Sequence, residues 1–196
     1  MLPGSLVLAL PDWLIALGDG RSYPHLEQRM RFVVDLSRRN VEEGSGGPFG
    51  AAVFEIESGR LVAAGVNRVV PARSGIAHAE ILALALAQQR VGCYDLGAAG
   101  MPGHEIVCST EPCLMCLGAI LWSGVRRVVC AARGDDAGAV GFDEGPKPGA
   151  WVEELARRGI EVVRDVCRDE AVAVLRAYAA GDGPIYNARC GAADRV

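Results

Sequence analysis

Positive charge is not in excess in this chain. Twenty Lys and Arg stand against 24 Asp and Glu, a formal charge of −4. Surfaces that track phosphate need clustered cations. The basic groups here, Arg29-Met30-Arg31 and Arg126-Arg127, are short and read as a solvated helix face and a strand end. DNA or tRNA binding is therefore not expected as a main task. Long apolar runs are missing too. Leu2 to Leu10 is too short to span a bilayer. It lacks a positive leading segment and is interrupted by Pro11-Asp12-Trp13, which argues against a secretory signal and a membrane partner. The seven cysteines are odd in number and scattered, so no disulfide framework is implied and a reducing, cytoplasmic compartment is expected. Aromatics are only 6% of the chain, which makes the position of each one informative.

What is present is ordinary material for one globular domain. The chain has 196 residues, 51% apolar and 22% charged. Residues 1–22 mix apolar residues with Pro and Gly and read as a loosely packed arm. Apolar residues at helical spacing predict a helix over 25–43, and Gly44-Ser45-Gly46-Gly47-Pro48 ends it. A strand at 50–56, a turn at 57–60 and a strand at 61–66 make a hairpin. A loop after Pro71 leads into a helix over 77–91 that is apolar nearly all round and so expected to be buried. A strand at 105–109, a helix at 113–123 and a strand at 126–131 follow. Residues 133–149 hold five glycines and two prolines and read as a long loop. A helix at 150–158, a strand at 160–164, a helix at 168–180 and a tail over 181–196 complete the chain. With no repeat and no dividing linker, residues 1–196 read as a single domain. Its expected architecture is α/β, a mixed sheet of about five strands with helices on both faces.

Chemistry concentrates in His78-Ala79-Glu80 and Pro112-Cys113-Leu114-Met115-Cys116, both at helix starts. Two cysteines three apart at a helix N-terminus aim their sulfurs at one place, and the dipole there favours thiolates. Cys-x-x-Cys alone fits half a structural zinc site or a redox pair. A structural site needs four protein ligands. The remaining cysteines, Cys93, Cys108, Cys130, Cys167 and Cys190, form no second pair, and His25 and His104 are placed in a surface helix and a loop. A redox pair has no use for His78 and Glu80 on another helix. Adding His78 to Cys113 and Cys116 gives three ligands with the fourth position open, the catalytic pattern for zinc, whose bound water has a pKa near about 7. Glu80, two residues beyond His78, is placed to carry protons without ligating the ion. A binding or structural zinc protein remains the non-enzyme alternative.

His-x-Glu followed by Pro-Cys-x-x-Cys is the signature of zinc nucleobase deaminases. Over roughly residues 25–180 the chain resembles the cytidine deaminase superfamily. Within it, Gly47-Pro48-Phe49-Gly50-Ala51-Ala52-Val53, Gly65-Val66-Asn67-Arg68-Val69-Val70, Leu121-Trp122-Ser123-Gly124-Val125, Gly141-Phe142-Asp143-Glu144-Gly145 and the tail Ile185-Tyr186-Asn187-Ala188-Arg189-Cys190 are similar to the bacterial guanine deaminases. That resemblance implies a three-layer α/β/α sandwich, one zinc ion per chain and a homodimer. It further implies a tail that helps close a pocket, in some members the partner's. The implied reaction is hydrolysis of guanine to xanthine and ammonia, with Glu80 acting as base and then acid. A carboxylate suits the N1–H and 2-amino edge of guanine, and Glu144 is the candidate, with a second role in relaying a proton to ammonia. The Asn67 amide suits O6 or N7. Phe49, Trp122 and Phe142 are candidates to stack on or edge the ring. Guanosine, cytosine, cytidine and amino-triazines stay open as alternative substrates.

Overall fold

The computed structural model describes residues 4–18, 20–181 and 183–188. Its centre is a five-stranded sheet. β1 (Gly50–Glu55) and β2 (Leu61–Val66) form the hairpin. With β3 (His104–Thr110), β4 (Arg127–Ala132) and β5 (Glu161–Val163) they lie in the order β2-β1-β3-β4-β5. β1 is antiparallel to both of its neighbours, whereas β3, β4 and β5 are parallel. Parallel neighbours need crossovers. α5 (Leu114–Ser123) carries the chain from β3 to β4, and α7 (Trp151–Arg157) lies on the way to β5.

Period-2 alternation along the strands sorts the core into two layers. Ala51, Val53, Ile106, Cys108, Val128 and Cys130 share one cluster with Leu84 of α4 (Ala79–Val91), Ile120 of α5 and Leu155 of α7. Ala52, Phe54, Val107 and Val129 share the other with Val33 of α2 (Leu26–Glu42) and Leu175 of α8 (Arg168–Ala180). Helices therefore cover both faces of a mixed sheet, the α/β/α sandwich expected from the sequence. The uniformly apolar α4 is buried, as its pattern required, and comes very close to the hairpin. A Cβ at Gly65 would lie 2.3 Å from the Ala79 carbonyl oxygen, so only glycine lets the first turn of α4 reach the sheet. On the opposite face of the sheet, fully buried Glu105 is held by Arg29 (2.5 Å) and Arg127 (2.6 Å).

Four expectations need correction. Residues 133–149 are not wholly loop, because α6 spans Gly134–Ala139. Its start is fixed by the Arg133 N–H donating to Asp136 (2.8 Å), and Arg168 grips the same carboxylate at 2.8 and 2.9 Å; tertiary pairing overrides the poor helix propensity of glycine. Part of the expected loose arm is packed, over residues 10–17. α1 (Asp12–Ile15) sets Leu14 against Leu36 and Val66, and Trp13 donates to Ser45 Oγ (3.0 Å). The loop expected after Pro71 is present but starts one residue later, because a short helix, α3 (Val69–Ala72), runs through Pro71. His104 is not in a loop but buried at the start of β3, its Nδ1 2.7 Å from the Leu96 carbonyl.

Candidate active site

Two helix N-termini meet below one cavity. His78 is the residue that caps α4, and Cys113 caps α5, so both side chains leave the chain just before it turns helical. Glu80 and Cys116 sit in the first turns of these helices and are buried. His78 Nδ1 lies 3.6 Å from each of the Cys113 and Cys116 sulfurs, and the three ligand atoms fall within 4.8 Å of one another. A tetrahedral zinc with bonds of about 2.3 Å to sulfur and about 2.0–2.1 Å to nitrogen separates those atoms by about 3.5–3.6 Å. The donor set fits the ion in type and spacing. Among the described residues no other group of three such ligands occurs.

The electrostatics also call for a cation. The bond from the Cys116 thiol, together with His78, draws the Cys113 thiol down to about 4, against the effect of burial. Cys116 is pushed upward in turn, first by its bond to Cys113 and then by burial. Burial, then the Cys113 charge, raises Glu80 above the usual carboxylate range, with His78 opposing. Burial likewise raises Glu144 to about 8, followed by the charges on Cys113 and Glu80, with Lys147 opposing. One thiolate and two carboxyls that burial drives toward their neutral forms share a desolvated space, and a divalent ion is the natural complement that would let them ionise.

The cavity above the ligands measures about 290 Å³. Its walls bring together Phe49, His78, Glu80, Cys113, Phe142 and Glu144, six of the residues singled out from the sequence. The Phe49 and Phe142 rings meet edge to face at 4.8 Å, so one apolar wall is a fixed aromatic corner. Asn67 is buried at the end of β2 but does not line the cavity. Its Oδ1 accepts from the Val69 N–H (3.2 Å), and its backbone carbonyl accepts from Asn40 Nδ2 (2.9 Å).

Trp122 is a correction. It is 82% exposed and does not line the cavity. The inward face of α5 is taken by Cys116, Leu117, Ile120 and Ser123, which turns Trp122 to the outside. The sequence reading also missed individual residues. Tyr186, Asn187 and Ala188 from the tail line the cavity, as do Asp143 and Glu111. The Tyr186 ring packs 5.2 Å from Phe142, and its hydroxyl, near the Asn67 side chain, has no well-formed hydrogen bond among the described residues. Asn187 accepts from the Asp143 N–H (2.9 Å) and donates to the Gly141 carbonyl (2.8 Å). The family-like run Ile185–Cys190 was the available signal for these contacts; Arg189 and Cys190 lie outside the described residues.

A three-layer sandwich that presents one His and two Cys from paired helix N-termini, with a glutamate beside them, defines a zinc-dependent hydrolytic deaminase. The chain belongs to this family: residues 24–132 match the cytidine and deoxycytidylate deaminase zinc-binding region. A guanine deaminase of Bacillus subtilis is 38% identical over 118 residues, covering 60% of this chain and 71% of that protein. The structure of guanine deaminase from Nitrosomonas europaea matches with a TM-score of 0.88 at 51% identity, over 92% of this chain and 99% of that one. The structure of NE0047 in complex with 2,6-diaminopurine matches with a TM-score of 0.89 at 53% identity, over 95% and 98%.

Proposed function

We propose that this protein hydrolyses guanine to xanthine and ammonia, with His78, Cys113 and Cys116 holding a catalytic zinc ion. The observation that carries the reading is the cavity itself. Metal ligands and Glu80 form its floor, Glu144 stands on the opposing loop, and Phe49 and Phe142 make an aromatic wall. Its volume of about 290 Å³ lies at the small end of ligand sites, which suits a single bicyclic base. The guanine deaminases named above match this chain well beyond its zinc motif, which supports guanine over the other bases.

Zinc, when bound, lowers the pKa of a coordinated water to about 7 and so supplies a nucleophile at neutral pH. The chain does the rest. Glu80, whose burial makes its carboxylate more basic, takes a proton from the attacking water and delivers it to N3 as the new C–O bond forms at C2. Glu144 accepts from the N1–H and 2-amino edge and passes a proton to the departing nitrogen. The C2–N bond breaks: the water oxygen stays on C2 as the xanthine carbonyl, one water proton is on N3, and the other has left the C2 hydroxyl by way of Glu144 to join the two amino hydrogens in ammonia. Asn67 lies behind the cavity wall with its Oδ1 engaged by Val69, and its Nδ2 reaches O6 or N7 where the Tyr186 hydroxyl gives way to the base. The tail closes the pocket through Tyr186 and Asn187. A panel of guanine, guanosine, cytosine, cytidine and adenine, read by ammonia release, tests the assignment. Fastest turnover is expected on guanine, and faster turnover of any other member overturns it.

The homodimer belongs to the same proposal. α5 contains no charged residue, and its outward face (Leu114, Met115, Gly118, Trp122), flanked by Ala119 and Leu121 that pack in part on the core, is apolar and incompletely covered. Trp122 at 82% and Leu114 at 39% exposure are the uncovered ends of that face, which a second copy would bury. A reducing cytoplasmic location fits the six unpaired cysteines among the described residues. No helix among the described residues is long and apolar enough to cross a membrane.

A further inference from the structure

Glu144 stands on a segment that has no regular structure to hold it. Residues 142–149 read Phe-Asp-Glu-Gly-Pro-Lys-Pro-Gly and run between α6 and α7 without helix or strand. A carboxylate that must meet a planar base needs its backbone fixed to a fraction of an ångström, and side chains from elsewhere have to provide that. Two ties bind this segment to residues 111–114, the stretch that also presents Cys113. The Leu114 N–H donates to the Glu144 carbonyl (3.1 Å). Lys147 Nζ donates to Glu111 Oε2 (3.2 Å) and lies 3.4 Å from the Pro112 carbonyl oxygen. Lys147 also packs 4.9 Å from the Trp151 ring centroid.

The anchor at the other end is rigid. Glu111 is 5% exposed in its side chain. Its Oε1 accepts from Arg164 (2.6 Å), and its Oε2 accepts from the Gly134 N–H (3.1 Å). A Cβ at Gly134 would lie 3.3 Å from Lys147 Nζ, 3.6 Å from Glu111 Oε2 and 3.8 Å from Glu144 Cγ. The catalytic carboxylate and the anchor are thus packed around one backbone point. A methyl at Gly134 would be tight only against the Lys147 ammonium and in ordinary contact with the other two, so the three side chains share one small space.

From this geometry we infer that Lys147 is a positioning residue for the deamination: by bridging to Glu111 and Pro112 it fixes the Glu144 loop against the turn that carries Cys113. Lys147 does not line the cavity and touches no reacting atom. Glu111 keeps Arg164 and Gly134 when Lys147 is lost, so the substitution does not strand a buried charge. The inference rests on the guanine reading above, and wild-type turnover of guanine tests that reading separately.

The experiment is a double-mutant cycle on the zinc-loaded enzyme, joining Lys147→Met to Glu144→Gln, with Lys147→Arg and Lys147→Gln alongside. Single-turnover ammonia release, KM, zinc content and Tm are read for each. Lys147→Met is expected to lower kcat on the order of tenfold to a hundredfold with zinc retained. Lys147→Arg is expected to restore most of it. In the Glu144→Gln background, Lys147→Met should cost less than about twofold more. Losses that multiply in the double mutant, a kcat within about twofold of wild type for Lys147→Met, or activity that falls only in step with zinc content would overturn the inference. If Lys147→Met does not fold, the same cycle with Lys147→Gln gives the same decision. Failure of the wild-type protein to act on guanine sinks the substrate reading instead.

Discussion

Gly47→Ala probes the part played by the tail, because the three atoms nearest to the added methyl all belong to Tyr186. A Cβ at Gly47 would sit 2.1 Å from the Tyr186 hydroxyl oxygen and 2.8 Å from two ring carbons. The φ of Gly47 is not in the left-handed region, so alanine is acceptable to the backbone. The tyrosine has to leave. Its ring packs 5.2 Å from Phe142, a pairing worth about 0.5–1.5 kcal/mol beyond area burial. Re-exposing part of the ring adds on the order of 1 kcal/mol. A loss near 2 kcal/mol corresponds to roughly thirtyfold in the population of the closed tail. The expected result is a KM for guanine raised by about that factor. Tm should fall by no more than about 4–8 °C, the equivalent of the same 2 kcal/mol in a chain of this size. Combining Gly47→Ala with Tyr186→Ala relieves the collision, so the pair should be no worse than Tyr186→Ala alone. A wild-type KM for Gly47→Ala would refute the claim that this tail covers the base.

Arg29→Met leaves the fully buried Glu105 with Arg127 alone; breaking such a pair costs about 3–5 kcal/mol, read as a lower urea midpoint. Trp122→Glu places a charge on the apolar face of α5; light scattering is expected to give a dimer for the wild type and a monomer for the variant, and equal masses refute the interface. In the chelated, metal-free protein, Glu144 has its folded pKa raised to about 8. A raised carboxyl pKa means its stabilising contribution is complete below about pH 4.5 and is lost as pH rises through about 8. Glu144→Gln should therefore raise Tm relative to wild type at pH 8.5 and make little difference at pH 4.5; an equal effect at both pH values contradicts this.

The sheet, its crossover helices and the metal constellation were legible in the sequence because their signals are local. Period-2 and helical spacing marked β1 to β5 and α2, α4, α5 and α8, and the ligands carry a fixed chemistry at fixed spacing. α6 escaped because Asp136 and Arg168, 32 residues apart, stabilise a glycine-bearing turn that propensity rejects. Trp122 was misplaced because adjacency in sequence to a buried helix does not say which way the last turn faces. The roles of Tyr186 and Lys147 depend on long-range closure, between residues 44 and 36 positions apart for Asn187 with Asp143 and Lys147 with Glu111, which no pattern of spacing encodes.

The central claim is that Glu80 moves the proton beside a zinc held by three other residues. Glu80→Gln preserves the shape of the side chain and removes its basicity. Metal analysis of the purified variant should still find about one zinc per chain, while ammonia release from guanine falls by about 10²–10⁴. Zinc retained with turnover within tenfold of wild type would contradict the account.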